Sequence, residues 1–247
     1  MKVRQVLSSI IVSMFFLLSC MNLNVQAQVK DTRYKVDTFS PIAVRITSSD
    51  DESRWGTGIV VGPNKVLTAA HVLRQNNLII YQGEHKDEPR KTFTIASAKR
   101  HPDYKPHGDT KHFHDLAVIT TNETFDTYGS FGHAEYSLLF SNITWIGYPG
   151  DLIQQEGEFS QWGTDHIALG DTGDLSKFML NESVVSYGGH SGSGIIDNSN
   201  PEGPLVIGVL TGGIGPEDTD ITLLRGSNYN FVYNEVVPFA SVSKLPR

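Results

Sequence analysis

The sequence predicts an all-β fold. Beyond residue 40 the chain runs as short segments rich in Val, Ile, Thr and aromatic residues, cut by Gly, Pro, Asn and Asp, the composition of strands and turns. Sustained 3.6-residue periodicity is missing, which leaves little room for helices. The number and spacing of these segments suit a barrel or a sandwich.

Ile42–Thr47 opens the series, and the apolar runs Gly58–Val61 and Lys65–Ala69 follow. Leu78–Tyr81, Thr92–Ala98 and Leu116–Thr120 complete the first half. The second half offers Ile143–Tyr148, Met179–Ser186, Gly194–Ile196, Leu205–Thr211 and Asn230–Tyr233 as strands. Helical turns are expected only after His71 and in the tail Glu235–Val242, which Pro238 keeps short. The polar, turn-rich stretch Thr121–Gly132 is the natural crossing between two lobes. Neither an internal repeat nor a low-complexity linker interrupts the chain.

Residues 1–27 precede this pattern with Lys2 and Arg4, no acid, the apolar run Val6 to Leu18, and then Val25-Gln26-Ala27. That is the layout of an export signal, which places the mature start at Gln28 and the protein outside the cell. Cys20 leaves an alternative, a lipoprotein acylated there, although bulky Leu18 fits that signal poorly. It is the only cysteine, so the exported domain folds without a disulfide, as is commoner for bacterial than for animal secreted enzymes. About 220 residues are enough to bury a stable core unaided. Loss of Lys2 and Arg4 moves the net charge from -7 to -9, the wrong sign for nucleic acid or an anionic membrane. No later apolar run approaches the ~20 residues that span a bilayer.

Three segments carry chemistry. Val66-Leu67-Thr68-Ala69-Ala70-His71 delivers a histidine at the end of an apolar strand. In His114-Asp115-Leu116-Ala117-Val118-Ile119 an acid immediately precedes a strand. Gly188-Gly189-His190-Ser191-Gly192-Ser193-Gly194 sets a serine among glycines that let the backbone turn sharply and aim its amides at one point. Singly, each has an ordinary structural reading: a satisfied histidine, a turn aspartate, a flexible loop. Together they supply a hydroxyl nucleophile, an imidazole base, a carboxylate to fix its tautomer, and amides for an oxyanion. The order His71, Asp115, Ser191 is the His-Asp-Ser order of chymotrypsin-like enzymes.

With Thr68–His71, Asp115–Ile119, Ile146-Gly147-Tyr148-Pro149 and Gly189–Ser193, the chain from about Arg33 onward resembles the bacterial glutamyl endopeptidase family, the chymotrypsin-like branch that includes the exfoliative toxins. The resemblance implies two six-stranded β-barrels, about 40–125 and 132–235, with the active site in the cleft between them and a short C-terminal helix. It makes His71 the general base, Asp115 its orienting acid, Ser191 the nucleophile, and the Gly189 and Ser191 amides the oxyanion hole. Ser193 then shapes the loop. The chain departs from the family at His190, where Asn is usual, and at Gly194, where Pro is frequent. His190 also stands where trypsin-like zymogens hold an activating aspartate, so signal removal alone is expected to yield the active form.

The resemblance places the pocket for the residue before the cut bond at Val185, Ser186, Leu210, Thr211 and Gly212. Leu210 falls where glutamyl members carry a histidine, and Val185 where trypsin-like members hold an aspartate. An aliphatic wall cannot pair a substrate carboxylate, so an uncharged residue is expected there, with Ser186 able to hydrogen-bond a neutral polar or aromatic side chain.

The cluster His101, His107, His112 and His114, with Asp103 and Asp109, matches no compact metal motif and reads as a solvated loop. Thr211–Gly215 opens no helix and so is not a phosphate loop. Trp55, Trp145 and Trp162 read as core or barrel-edge packing. The expectation is a secreted, monomeric serine endopeptidase acting on protein or peptide, with no cofactor or metal. A catalytically silent binding protein on the same fold, or a glutamate-specific endopeptidase, is the alternative. A quality-control protease with a peptide-binding domain behind the barrels is not expected, since 56 residues follow Ser191.

Overall fold

A computed structural model describes residues 29–237, apart from 87, 89, 109–110, 135–137, 169–177 and 213–217. The export segment with Cys20, the Gln28 start, Asp109, Gly213–Gly215 and the end of the expected tail helix lie outside the described residues.

Among the described residues, thirteen strands and three helical segments form two lobes. The first lobe is a closed barrel ordered β2-β3-β4-β7-β6-β5, built from β2 (Ala43–Ser48), β3 (Trp55–Gly62), β4 (Lys65–Thr68), β5 (Leu78–Gln82), β6 (Lys91–Arg100) and β7 (Ala117–Thr121). Closure leaves no free edge, and Val44, Ile46, Val60, Val66, Leu67 and Ile119 fill the interior.

The second lobe is a seven-stranded sheet ordered β1-β9-β8-β11-β12-β13-β10. Its strands are β8 (Asn142–Gly147), β9 (Trp162–Ile167), β10 (Met179–Glu182), β11 (Gly194–Asp197), β12 (Leu205–Gly212) and β13 (Thr219–Leu223), joined by β1 (Tyr34–Lys35) from the start of the described chain. Trp145, Leu180, Ile195, Ile207, Leu210 and Ile221 form its core. Trp145 is therefore core as expected, whereas Trp55 is half-buried and lines a surface cavity.

Several expectations are corrected. Asn230–Tyr233 is helical, within α2 (Ser227–Val236). Phe231, Val232 and Tyr233 favour strand by type, but Asn228 pins the first turn by donating to the Phe113 and Leu223 carbonyls and Val232 packs into the barrel core. The helix thus starts eight residues before the expected Glu235. Helix α1 (Gly150–Glu156), β9 and β13 were not read from the sequence. The α1 stop was visible in principle, since Gly157 closes it in the left-handed region at φ 75°. A 3-10 helix, Ala70–Arg74, occupies the expected turn at His71.

Candidate active site

The antiparallel pairing of β4 with β7 sets Thr68 opposite Ala117. His71 lies three residues past the end of one strand and Asp115 two before the start of the other, so both emerge at the same edge of the barrel. There the His71 amide donates to Asp115 Oδ1 at 2.9 Å, and His71 Nδ1 lies 2.7 Å from Asp115 Oδ2. The Asp115 side chain is 3% exposed and that of His71 25%. This leaves the carboxylate shielded and the far face of the imidazole open. Burial alone would push the Asp115 carboxyl up, but the His112 and His71 imidazoles outweigh it and hold the group at about 2.

The glycine-rich serine loop leads into β11 and is clamped from both lobes. Thr57 of β3 donates its amide to the Ser191 carbonyl at 2.8 Å and its hydroxyl to the Gly189 carbonyl at 2.7 Å. Its hydroxyl also accepts the Tyr148 amide at 3.1 Å. Gly192, at φ +89°, has no room for a side chain, because a Cβ there would collide with the Thr57 carbonyl and the Thr68 hydroxyl. Gly194 packs against Ile59, where even one added carbon would overlap the isoleucine. That close approach accounts for glycine at the departure that follows the second serine.

The loop amides divide into two sets. His190 donates to the Tyr187 carbonyl, Gly192 to Leu210 and Ser193 to His190. Among the described residues the amides of Gly189 and Ser191 have no acceptor, so two donors in one turn stay available to an anion. Gly189 takes φ +94°. Ser191 is half-buried and Ser193 fully buried. Among the described residues no hydrogen bond joins Ser191 Oγ to His71, as is common before substrate tightens the contact.

His190 is completely buried with neither ring nitrogen partnered. Burial, and next the nearby Arg33 charge, push its pKa down to about 3, so it is neutral and brings no positive charge to the site.

The residues expected to line a substrate pocket are placed as follows. Val185, Ser186 and Thr211 are buried, Leu210 belongs to the second-lobe core, and Gly212 carries φ +154° beside the His112 ring. Thr211 shares a cavity of about 230 Å³ with His71, His112 and Asp115. A larger cavity, about 450 Å³, is lined by Trp55, Asp151, Tyr187, Gly188 and Gly189.

Three participants were missed in the sequence. Thr57 is separated from Gly189 by 132 residues, and nothing local marks it. His112 is not in a solvated loop: its Nδ1 lies 3.7 Å from Asp115 Oδ2 and its Nε2 3.6 Å from Asp220 Oδ2. The same correction applies to His101 and His114, which stack at 4.7 Å; of the four histidines only His107 is exposed. Arg33, which joins Asp151 beside the larger cavity, is the third.

Comparison with known proteins identifies the family and the fold. The chain is 28% identical over 196 residues to a glutamyl endopeptidase of Bacillus licheniformis, covering 70% of this chain and 54% of that protein. It is 30% identical over 81 residues to a venom serine protease of Polistes dominula, covering 28% of this chain and 27% of that protein. The chain thus spans about half the length of the first relative and about a quarter of the second. A solved Glu endopeptidase in complex with MPD superposes with a TM-score of 0.71 at 20% identity, over 85% of this chain and 98% of that one, which establishes the chymotrypsin-like fold. The sequence pattern of the trypsin family matches residues 30–230, and this chain is a member of that family.

Proposed function

We propose that this protein is a serine endopeptidase with His71, Asp115 and Ser191 as its triad. The observation that carries the reading is the buried Asp115 carboxylate, fixed on both the amide and Nδ1 of His71 at 2.9 and 2.7 Å. With Nδ1 donating, Nε2 is left as the free base. Ser191 Oγ attacks the substrate carbonyl carbon while His71 Nε2 takes its proton. The C–N bond then breaks, and Nε2 returns the proton to the leaving amine. Water, giving a proton to the same nitrogen, then attacks the acyl carbon; the bond to Ser191 Oγ breaks, and Nε2 returns the proton to that oxygen. The unpartnered Gly189 and Ser191 amides receive the oxyanion in both halves. Ser193 is too buried to compete.

The substrate is protein or peptide. Val185, Ser186, Leu210, Thr211 and Gly212 form the pocket for the residue before the cut bond, and neutral, buried His190 leaves no cation among them. We therefore assign a preference for an uncharged residue there. The protein acts outside the cell after removal of residues 1–27, as a monomer.

Digestion of a proteome-derived peptide library tests both parts. Wild type should cut mainly after uncharged residues, and Ser191→Ala should leave the library intact. Cleavage predominantly after Glu would overturn the assigned preference, and undiminished cleavage by Ser191→Ala would overturn the triad.

A further inference from the structure

The cavity of about 450 Å³ shares Gly188 and Gly189 with the turn that offers its amides to the oxyanion. It has no lining residue in common with the cavity that holds His71 and Thr211. The larger space borders the serine loop, and the smaller one borders His71, Asp115 and Thr211. If the acyl half of a peptide lies along the Thr211 side, the larger cavity faces the half that leaves.

Two kinds of wall enclose it. Trp55 and Tyr187 give it aromatic faces, and the indole N–H is already donated to the Tyr148 carbonyl at 2.8 Å. Asp151 adds a carboxylate, which alone would draw in a Lys or Arg side chain. That carboxylate is occupied. Arg33 Nη1 donates to Asp151 Oδ1 at 2.8 Å and Nη2 to Oδ2 at 2.6 Å, a two-pronged pairing. The Arg33 side chain is only 2% exposed and its guanidinium lies 5.0 Å from the centre of the Tyr187 ring. Asp31 grips its other edge, but Asp31 is half exposed and does not line the cavity. The remaining charge on the lining is Arg54, which repels cations. Nearby His190 is neutral.

We propose that Arg33 is a specificity-determining residue for the leaving half of the substrate. By neutralising Asp151 it makes the Trp55–Tyr187 cavity a site for a bulky uncharged side chain and denies it to Lys and Arg. The inference rests on the serine-peptidase reading. Arg33 arrives on a segment that is held independently: Tyr34 and Lys35 pair with Gly163 and Trp162, Tyr34 Oη donates to Asp165, and Lys35 reaches Glu156 and Glu158. Arg33→Met should therefore keep the segment in place while freeing the carboxylate.

The test is a set of peptides with one fixed cut site, carrying Leu, Phe, Glu or Lys immediately after it or one residue further on. Wild type should favour Leu and Phe over Lys. Arg33→Met should raise the Lys:Leu ratio of kcat/KM by roughly tenfold, the usual scale for an uncovered, partly buried charge, and adding Asp151→Asn should cancel that gain. Asp151→Asn alone should leave the ratio within about twofold of wild type, which keeps the test open even if Arg33→Met does not fold. A wild-type preference for Lys, an unchanged ratio in folded Arg33→Met, or a large loss of Lys cleavage in Asp151→Asn would overturn the inference. Failure of wild type to cut any of the peptides, or to react with a phosphonate serine probe, would instead count against the peptidase reading.

Discussion

Thr57 Oγ1 donates to the Gly189 carbonyl at 2.7 Å while accepting the Tyr148 amide at 3.1 Å. One first-lobe hydroxyl thus fixes the serine loop against the second lobe. Thr57→Val keeps the shape and leaves two buried backbone groups unpaired, at a cost of about 1–3 kcal/mol each. It also loosens the turn that presents the Gly189 amide. Stability should drop by a few kcal/mol in urea unfolding, and kcat should fall by about 10²-fold, the scale for a misplaced oxyanion donor. Thr57→Ser should retain most of both.

Gly192 and Gly203 make a matched pair. Both have positive φ, +89° and +110°, but a Cβ on Gly203 meets nothing within 4 Å whereas one on Gly192 strikes Thr57 and Thr68. Gly203→Ala should cost about 1 kcal/mol from the backbone alone. Gly192→Ala should cost clearly more, measured as a larger loss of melting temperature together with loss of activity.

The proposed triad was legible because each member sits in a local motif: a strand end, a strand start, a glycine-flanked serine. The residues that hold those motifs together were not. Arg33 meets Asp151 across 118 positions, and Asn228 meets the Phe113 carbonyl across 115, separations over which neither periodicity nor spacing carries a signal. The same blindness explains the misread segment at Asn230–Tyr233, where strand-forming side chains fold as a helix because Asn228 and Val232 are anchored elsewhere. In β13, Thr219-Asp220-Ile221-Thr222-Leu223 lacks the apolar alternation of an ordinary strand because its polar members are buried too.

His190 predicts how stability depends on pH. Its folded pKa, about 3, lies below its ordinary 6.5 because it is buried. Between those values the unfolded chain binds a proton that the folded protein excludes, so the stabilisation is complete above pH 6.5 and is lost as the pH falls toward 3. The slope from this group is about 1.4 kcal/mol per pH unit. Chemical denaturation at a series of pH values should show it, and His190→Leu should flatten it. A slope equal in both proteins would mean that His190 charges in the folded state.

Asp115 acts in a lower window. Held at about 2 against an ordinary 3.8, it contributes stability that is present above pH 3.8 and lost as the pH falls toward 2. Asp115→Asn should remove that acid-limb dependence alone and leave the slope between pH 6.5 and 4 as in wild type. The same unfolding series resolves the two windows.

The proposed mechanism turns on Ser191 as the nucleophile. Incubating the Gln28–Arg247 protein with a fluorophosphonate and mapping the adduct by peptide mass spectrometry tests it most directly. One phosphonyl group should appear on Ser191, none on Ser193, with Ser191→Ala unlabelled and slower in peptide hydrolysis by at least about 10⁴-fold. Labelling of Ser193, or of Ser191→Ala at the wild-type rate, would contradict the account.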